Sequence, residues 1–176
     1  MKKVQIFAVL LMLAGAGFLN AAASANAAGS SKVVSFKGHY SGTASLLISG
    51  SSIKIMSVTG SGSASLIGAG SLSGTGNATG SDNLCVPFKG KASIKGASGS
   101  IKFSVNAAKS TGCSSGQSGP VTVTVKGSAK VTAGTGKAKG AKGTLKFKGT
   151  LKLDDTSGFQ SGSFSGSLSG KLTLVK

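Results

Sequence analysis

Apolar and polar positions alternate along most of this chain, and the two faces they define differ in kind. In the stretch 144–153, Leu145, Phe147, Gly149, Leu151 and Leu153 share one face, while Lys146, Lys148, Thr150 and Lys152 share the other. Successive side chains leave a strand in opposite directions, so a period of two marks a strand with one dry and one wet face. The stretch 32–48 reads the same way, with Phe36, Gly38, Tyr40, Gly42, Ala44 and Leu46 aligned. A second region runs over 53–67, interrupted around Gly60 and Gly62. In 85–95, Phe88, Gly90, Ala92 and Ile94 oppose Lys89, Lys91, Ser93 and Lys95. After a turn at 96–99, Ile101, Phe103 and Val105 return. Val121 to Val131 forms another strand, and Phe164 to Leu174 closes the series after a turn at 154–158.

Two segments lack this contrast. Residues 68–83 are almost all Gly, Ser, Ala and Thr and read as a weak strand or an ordered loop. Residues 108–119 read as a loop that carries Cys113 and ends at Pro120. About seven to nine strands with short linkers give an antiparallel meander. The inward face repeats one unit, a large residue followed two positions on by glycine: Phe36 and Gly38, Phe88 and Gly90, Val125 and Gly127, Phe147 and Gly149, Phe164 and Gly166. The spacing of these units is irregular, which rules out a solenoid. Alternating large and small residues inside suit a small barrel of about eight strands.

The start of the chain has a different pattern. Met1-Lys2-Lys3 is a basic segment, an apolar run follows to about Leu19, and Ala25-Asn26-Ala27 is a small-x-small cleavage site. That three-part pattern is a secretory signal peptide over 1–27, leaving 28–176 as a single domain of a secreted protein, extracellular or in the cell envelope. No Cys follows the run, so lipid attachment is not expected. Cys85 and Cys113 survive cleavage, and an even count in an oxidising compartment predicts a disulfide. With no His or second Cys pair beside them, they do not read as metal ligands.

Charge narrows the function classes. The chain carries 20 Lys and no Arg against 3 acids, a net charge of +17 that falls to +15 once Lys2 and Lys3 are removed. Such a surface attracts anionic polymers or anionic membrane surfaces. Without the arginine fork and without exposed aromatics, it is not suited to specific nucleic-acid recognition. The competing reading is that lysine serves solubility and keeps strands from pairing with other chains.

Residues 134–143, Gly-Thr-Gly-Lys-Ala-Lys-Gly-Ala-Lys-Gly, lie between two alternating strands. They resemble the Gly-Thr-Gly-Lys-Phe hairpin of dirigent proteins and the related allene oxide cyclase barrels, and are similar to uncharacterised exported bacterial proteins rich in Gly-Thr strands. Ala138 stands where that family usually has an aromatic. The resemblance implies an eight-stranded antiparallel barrel with a central cavity, and no acid falls on an inward position to match the family's functional acids. As a phosphate loop the segment fails, because Gly136-Lys137 is followed by Ala138 and strand pattern, not by Ser or Thr and a helix. No cofactor is expected.

Three further positions bear on chemistry. His39 faces outward without an acid partner, so catalysis through it is not expected. Tyr40, the only tyrosine, faces inward as the one strong hydrogen-bonding group of the lumen and is the candidate ligand contact. Asp154 and Asp155 make a turn more simply than a cation site. The sequence therefore describes an exported, non-catalytic barrel with a structural or binding role. The first alternative is a carrier of a small apolar ligand in the lumen, and the second is a cyclase or isomerase-type enzyme.

Overall fold

The computed structural model describes residues 30–80 and 84–175; the segment 1–27 expected to be a signal peptide, Asp82 and Asn83 lie outside them. The described residues form eight strands: β1 (Ser31–Ser49), β2 (Ser52–Ala64), β3 (Gly68–Thr79), β4 (Cys85–Gly96), β5 (Gly99–Ser114), β6 (Val121–Gly136), β7 (Lys142–Leu153) and β8 (Gly158–Val175). Each pairs antiparallel with the next and β8 returns to β1, so the sheet closes into a barrel without crossovers. The dry face predicted for β1 holds residue by residue: Phe36, Tyr40, Ala44 and Leu46 are buried. Leu145 and Leu153 are buried in the same way on β7.

Of the two segments without contrast, one resolves to a reading already open and the other needs revision. Residues 68–79 are the weak strand, β3, and only Leu72 and Ala78 on it are buried. The run 108–114 belongs to β5, so Cys113 sits on a strand rather than in a loop. The alternation is lost there because β5 bulges. Between Val105 and Ser110 its register shifts, and the extra residues Asn106 to Lys109 have no partners on β6. A bulge of this kind leaves residues unpaired and bends the strand.

Interior glycines set the width of the bore. A Cβ on Gly42 would lie 2.1 Å from the Thr59 carbonyl oxygen, and one on Gly62 would lie 1.9 Å from that of His39. The backbones of β1 and β2 thus occupy the space that side chains would need. Between them the large residues fill the axis, and the Phe88 and Phe147 rings meet across it at 5.8 Å.

The two ends of the barrel differ. At one end Ile67, Ala138 and Ala141 fold inward from the β2–β3 and β6–β7 turns and join the main core around Phe36, Ile94, Ile101, Leu145 and Leu172. Backbone hydrogen bonds tie these turns together: the Ser98 amide donates to the Ile67 carbonyl at 3.0 Å, and the Lys137 amide to the Ser98 carbonyl at 2.8 Å. That end is sealed. At the other end Ala44, Leu46, Val121 and Leu153 form a second, smaller core cluster, and a cavity opens beside it.

The glycine contacts yield a paired test. Gly42→Ala should destabilise by about 1–3 kcal/mol, the usual range for forced overpacking. Gly116→Ala, whose Cβ would find Val121 Cγ1 at 3.6 Å, should stay within ~0.5 kcal/mol of the parent. Equal denaturant midpoints for the two variants would remove the narrow-bore account.

Candidate binding wall and apolar mouth

The lysines do not cover the barrel evenly. All 17 in the described residues are exposed, and thirteen of them lie on β4 to β7 or in the β6–β7 turn. β3 carries none. Lysine therefore marks the wet face on one side of the barrel only. On that side, lysines alternate with hydroxyls from strand to strand, as in the row Lys91, Ser104, Lys130, Thr144, Lys171. With neighbouring strands ~4.8 Å apart, charges in such a row stand roughly 10 Å from one another. That exceeds the screening length of ~8 Å at physiological salt, so mutual repulsion is small while the outward field adds.

The opposite side is covered by short hydroxyls. Ser163, Thr43, Thr59, Ser73 and Ser93 form one row across it, and Ser165, Ser41, Ser61 and Ser71 another. Neighbours in these rows bond to each other, Ser73 Oγ to Ser93 Oγ at 3.0 Å. His39 lies on this side, exposed, with Nε2 3.4 Å from Ser165 Oγ.

The β5 bulge turns part of the basic wall into a groove. Lys109, Lys126, Lys146 and Lys148 surround a depression of about 540 Å³, whose lining includes Ser110, Ser167 and Ser169. Ser110 is itself buried at 2% exposure, and Lys126 and Lys148 face each other directly in the β6–β7 register. Like charges directly opposed destabilise a sheet. An anion seated between them would relieve that repulsion. Sequence reading missed this site because residues 108–119 looked like a loop. The available signal was the break of phase between Val105 and Ser110.

The unsealed end is an apolar mouth. Leu46, Ile53, Val86, Phe88, Val123 and Leu151 are among the residues around a cavity of about 470 Å³, with Ser51, Gln117 and Thr156 adding polar atoms. That volume falls in the usual range for small-molecule sites, ~300–1,000 Å³. No charged side chain is in its lining. Cys85 and Cys113 are directly opposed on β4 and β5 at this end and are bonded, closing a loop of sequence separation 28. The bond crosses the strands just beyond the β4–β5 irregularity at Pro87 to Gly90, where the ladder is interrupted. The Gln117 carbonyl accepts from Thr156 Oγ1 at 2.6 Å, which joins two rim turns.

Tyr40 is inward and 1% exposed, but it belongs to the sealed half and not to the lining of the mouth. Its hydroxyl is buried with no hydrogen-bond partner among the described residues. Burial pushes the phenol above its ordinary value, because the low-dielectric core disfavours phenolate. Asp154 and Asp155 form the β7–β8 turn, with Asp155 Oδ1 accepting from the Thr156 amide at 2.6 Å. No cluster of metal-ligating residues occurs among the described residues. Compared with family models, curated proteins and solved structures, the chain matches none.

The orphaned hydroxyl makes a direct prediction. Tyr40→Phe removes a buried group without a partner and should raise stability by about 1–3 kcal/mol. Above pH 10.0 an unfolded tyrosine releases its proton while the buried one holds it, so the parent loses stability as pH climbs through that value. The gap between variant and parent should therefore widen in alkali. A lower melting temperature for Tyr40→Phe at neutral pH would mean that the hydroxyl is satisfied.

Proposed function

We propose that this protein is an exported, non-catalytic barrel that binds anionic polymers at the cell exterior through the β4–β7 wall. The observation that carries the reading is the groove beside the β5 bulge, where four lysines and a buried serine surround one depression. No acid falls on that wall, since the only acids of the chain are Asp82, Asp154 and Asp155. Export is supported by the leader pattern and by the Cys85–Cys113 disulfide, which suits an oxidising compartment. No helix among the described residues is long and apolar enough to cross a membrane. Kinship with the dirigent and allene oxide cyclase barrels is part of the proposal and rests on the hairpin at 134–143. There Gly136 and Gly140 take the left-handed conformation, φ 59° and 68°, that the tight turn needs.

Binding of this kind runs on counterion release. Retention on heparin should fall steeply with salt, in proportion to the number of anionic groups that lysine neutralises. Changing Lys126, Lys146 and Lys148 together to Gln should flatten the salt slope by up to ~0.7–0.9 for each lysine that no longer engages the polymer. Changing Lys32, Lys37 and Lys54 to Gln removes the same charge from the other half of the barrel and should alter the slope far less. Equal effects would reduce the wall to a generic charge, and elution in the void volume at low salt would leave lysine as a solubility device.

The mouth supports a second reading, carriage of a small uncharged apolar ligand, because its cavity has the volume and the dry lining that such a ligand needs. Native mass spectrometry of protein from its own host should then show an adduct that Val123→Trp displaces. Absence of any adduct, together with no binding of an apolar fluorescent dye, would dismiss it.

A further inference from the structure

Of the six large exposed apolar side chains among the described residues, three gather at one end, while Val33 and Val175 lie toward the sealed end and Met56 on β2. Phe159, Leu84 and Leu47, at 65%, 45% and 43% exposure, all sit at the rim of the open mouth. Leu47 and Phe159 are register partners on β1 and β8, so they stand side by side on the outer surface. Leu84 stands in the β3–β4 connection and also lines the cavity. At Leu84 the apolar outer surface of the rim and the apolar lining of the cavity meet. The turns between them are short of charge: residues 47–53 and 115–120 contain none. Two lysines stand beside this rim. Lys54 is the register partner of Leu47, and Lys152 is the last lysine of β7 before its turn.

Apolar side chains at a rim with cations beside them are what proteins that enter the interface of a bilayer present. Apolar side chains sink ~5–10 Å past the headgroups, and nearby lysines are attracted by anionic lipid. A flat protein partner would cover the rim and leave the cavity behind it unfilled, whereas fluid acyl chains surround a ring and fill its centre. We propose that the open end of the barrel seats on a phospholipid bilayer containing anionic lipid, with Phe159, Leu47 and Leu84 entering the interface. All three acids of the chain oppose this, Asp154 and Asp155 in the β7–β8 turn and Asp82 two positions before Leu84 in the sequence. The docking therefore depends on the apolar side chains and not on charge alone, which separates it from polymer binding by the side wall. It does not require a ligand in the cavity.

The chain has no tryptophan, so an introduced indole reports alone. Phe159→Trp places it on the rim, and Val33→Trp places it at a comparably exposed site, 62%, toward the sealed end. Both proteins are mixed with vesicles of phosphatidylcholine and phosphatidylglycerol, with and without brominated acyl chains. Trp at 159 should shift its emission to the blue and be quenched by the brominated lipid, while Trp at 33 should do neither. Leu47→Ser with Phe159→Ser should lower partitioning about tenfold in co-sedimentation. Co-sedimentation without quenching at 159 would overturn the proposal and leave the basic wall as the membrane contact. Equal quenching at both sites would overturn it as non-specific adsorption. A blue shift that needs no lipid and grows with protein concentration would overturn it in favour of a second copy on the rim.

Discussion

The close approach of neighbouring backbones at interior glycines is the constraint on which the rest of the barrel depends. Where Gly42 faces β2, the Thr59 carbonyl stands in the place of a side chain. Nearby, the Phe164 ring covers the inner face of Gly60, 2.8 Å from where its Cβ would stand. Large residues can fill the axis only because their neighbours have no side chain. Curvature of that kind is what lets eight strands close with a packed interior. It also turns every intervening residue outward, so the inner glycine rule and the outer lysine pattern are two sides of one alternation.

A meander of eight strands has its turns at alternate ends, and here the two sets of turns are built differently. At the sealed end, Ile67, Ala138 and Ala141 complete the core and the turns bond to one another. At the open end, the chain adds a cross-link where its core is small. The Cys85–Cys113 bond holds β4 to β5 beside an irregular ladder, where packing alone has little to offer. Cross-linking across that separation contributes roughly 3–4 kcal/mol in the chain-entropy view. A rim held covalently can stay apolar and hollow without collapsing inward. The position of the disulfide is therefore tied to the presence of the mouth.

Much of the fold was legible because bulky residues alternate with lysine; β1, β4 and β7 were readable almost residue by residue. Legibility failed where side chains were too small to mark a face. β3 buries only Leu72 and Ala78 amid Gly, Ser and Thr, so its period is nearly silent. On β5 the bulge after Val105 shifts the phase, and the inward residues beyond it, Ser110 and Gly112, look like loop residues. That one misreading also hid the basic groove, which the bulge creates. Tyr40 was correctly placed inside, but no local pattern says which half of the bore is filled. That depends on Ala138 and Ala141 folding in from a turn that reads as polar and lysine-rich.

Separation of function follows from the same geometry. The groove lysines lie on outward positions of β6 and β7 together with the β5 bulge, while the mouth is lined by inward positions of the same strands, such as Val123, Val125 and Leu151. One peptide unit separates a residue that faces water from one that faces the cavity. Substitution on the wall can therefore tune charge without changing the volume inside, and substitution in the mouth can alter its shape without touching the wall. The rim is where this independence ends, because there strand gives way to turn and Leu84 is both exposed and part of the lining. Any event that couples outside to inside in this barrel must pass through that ring.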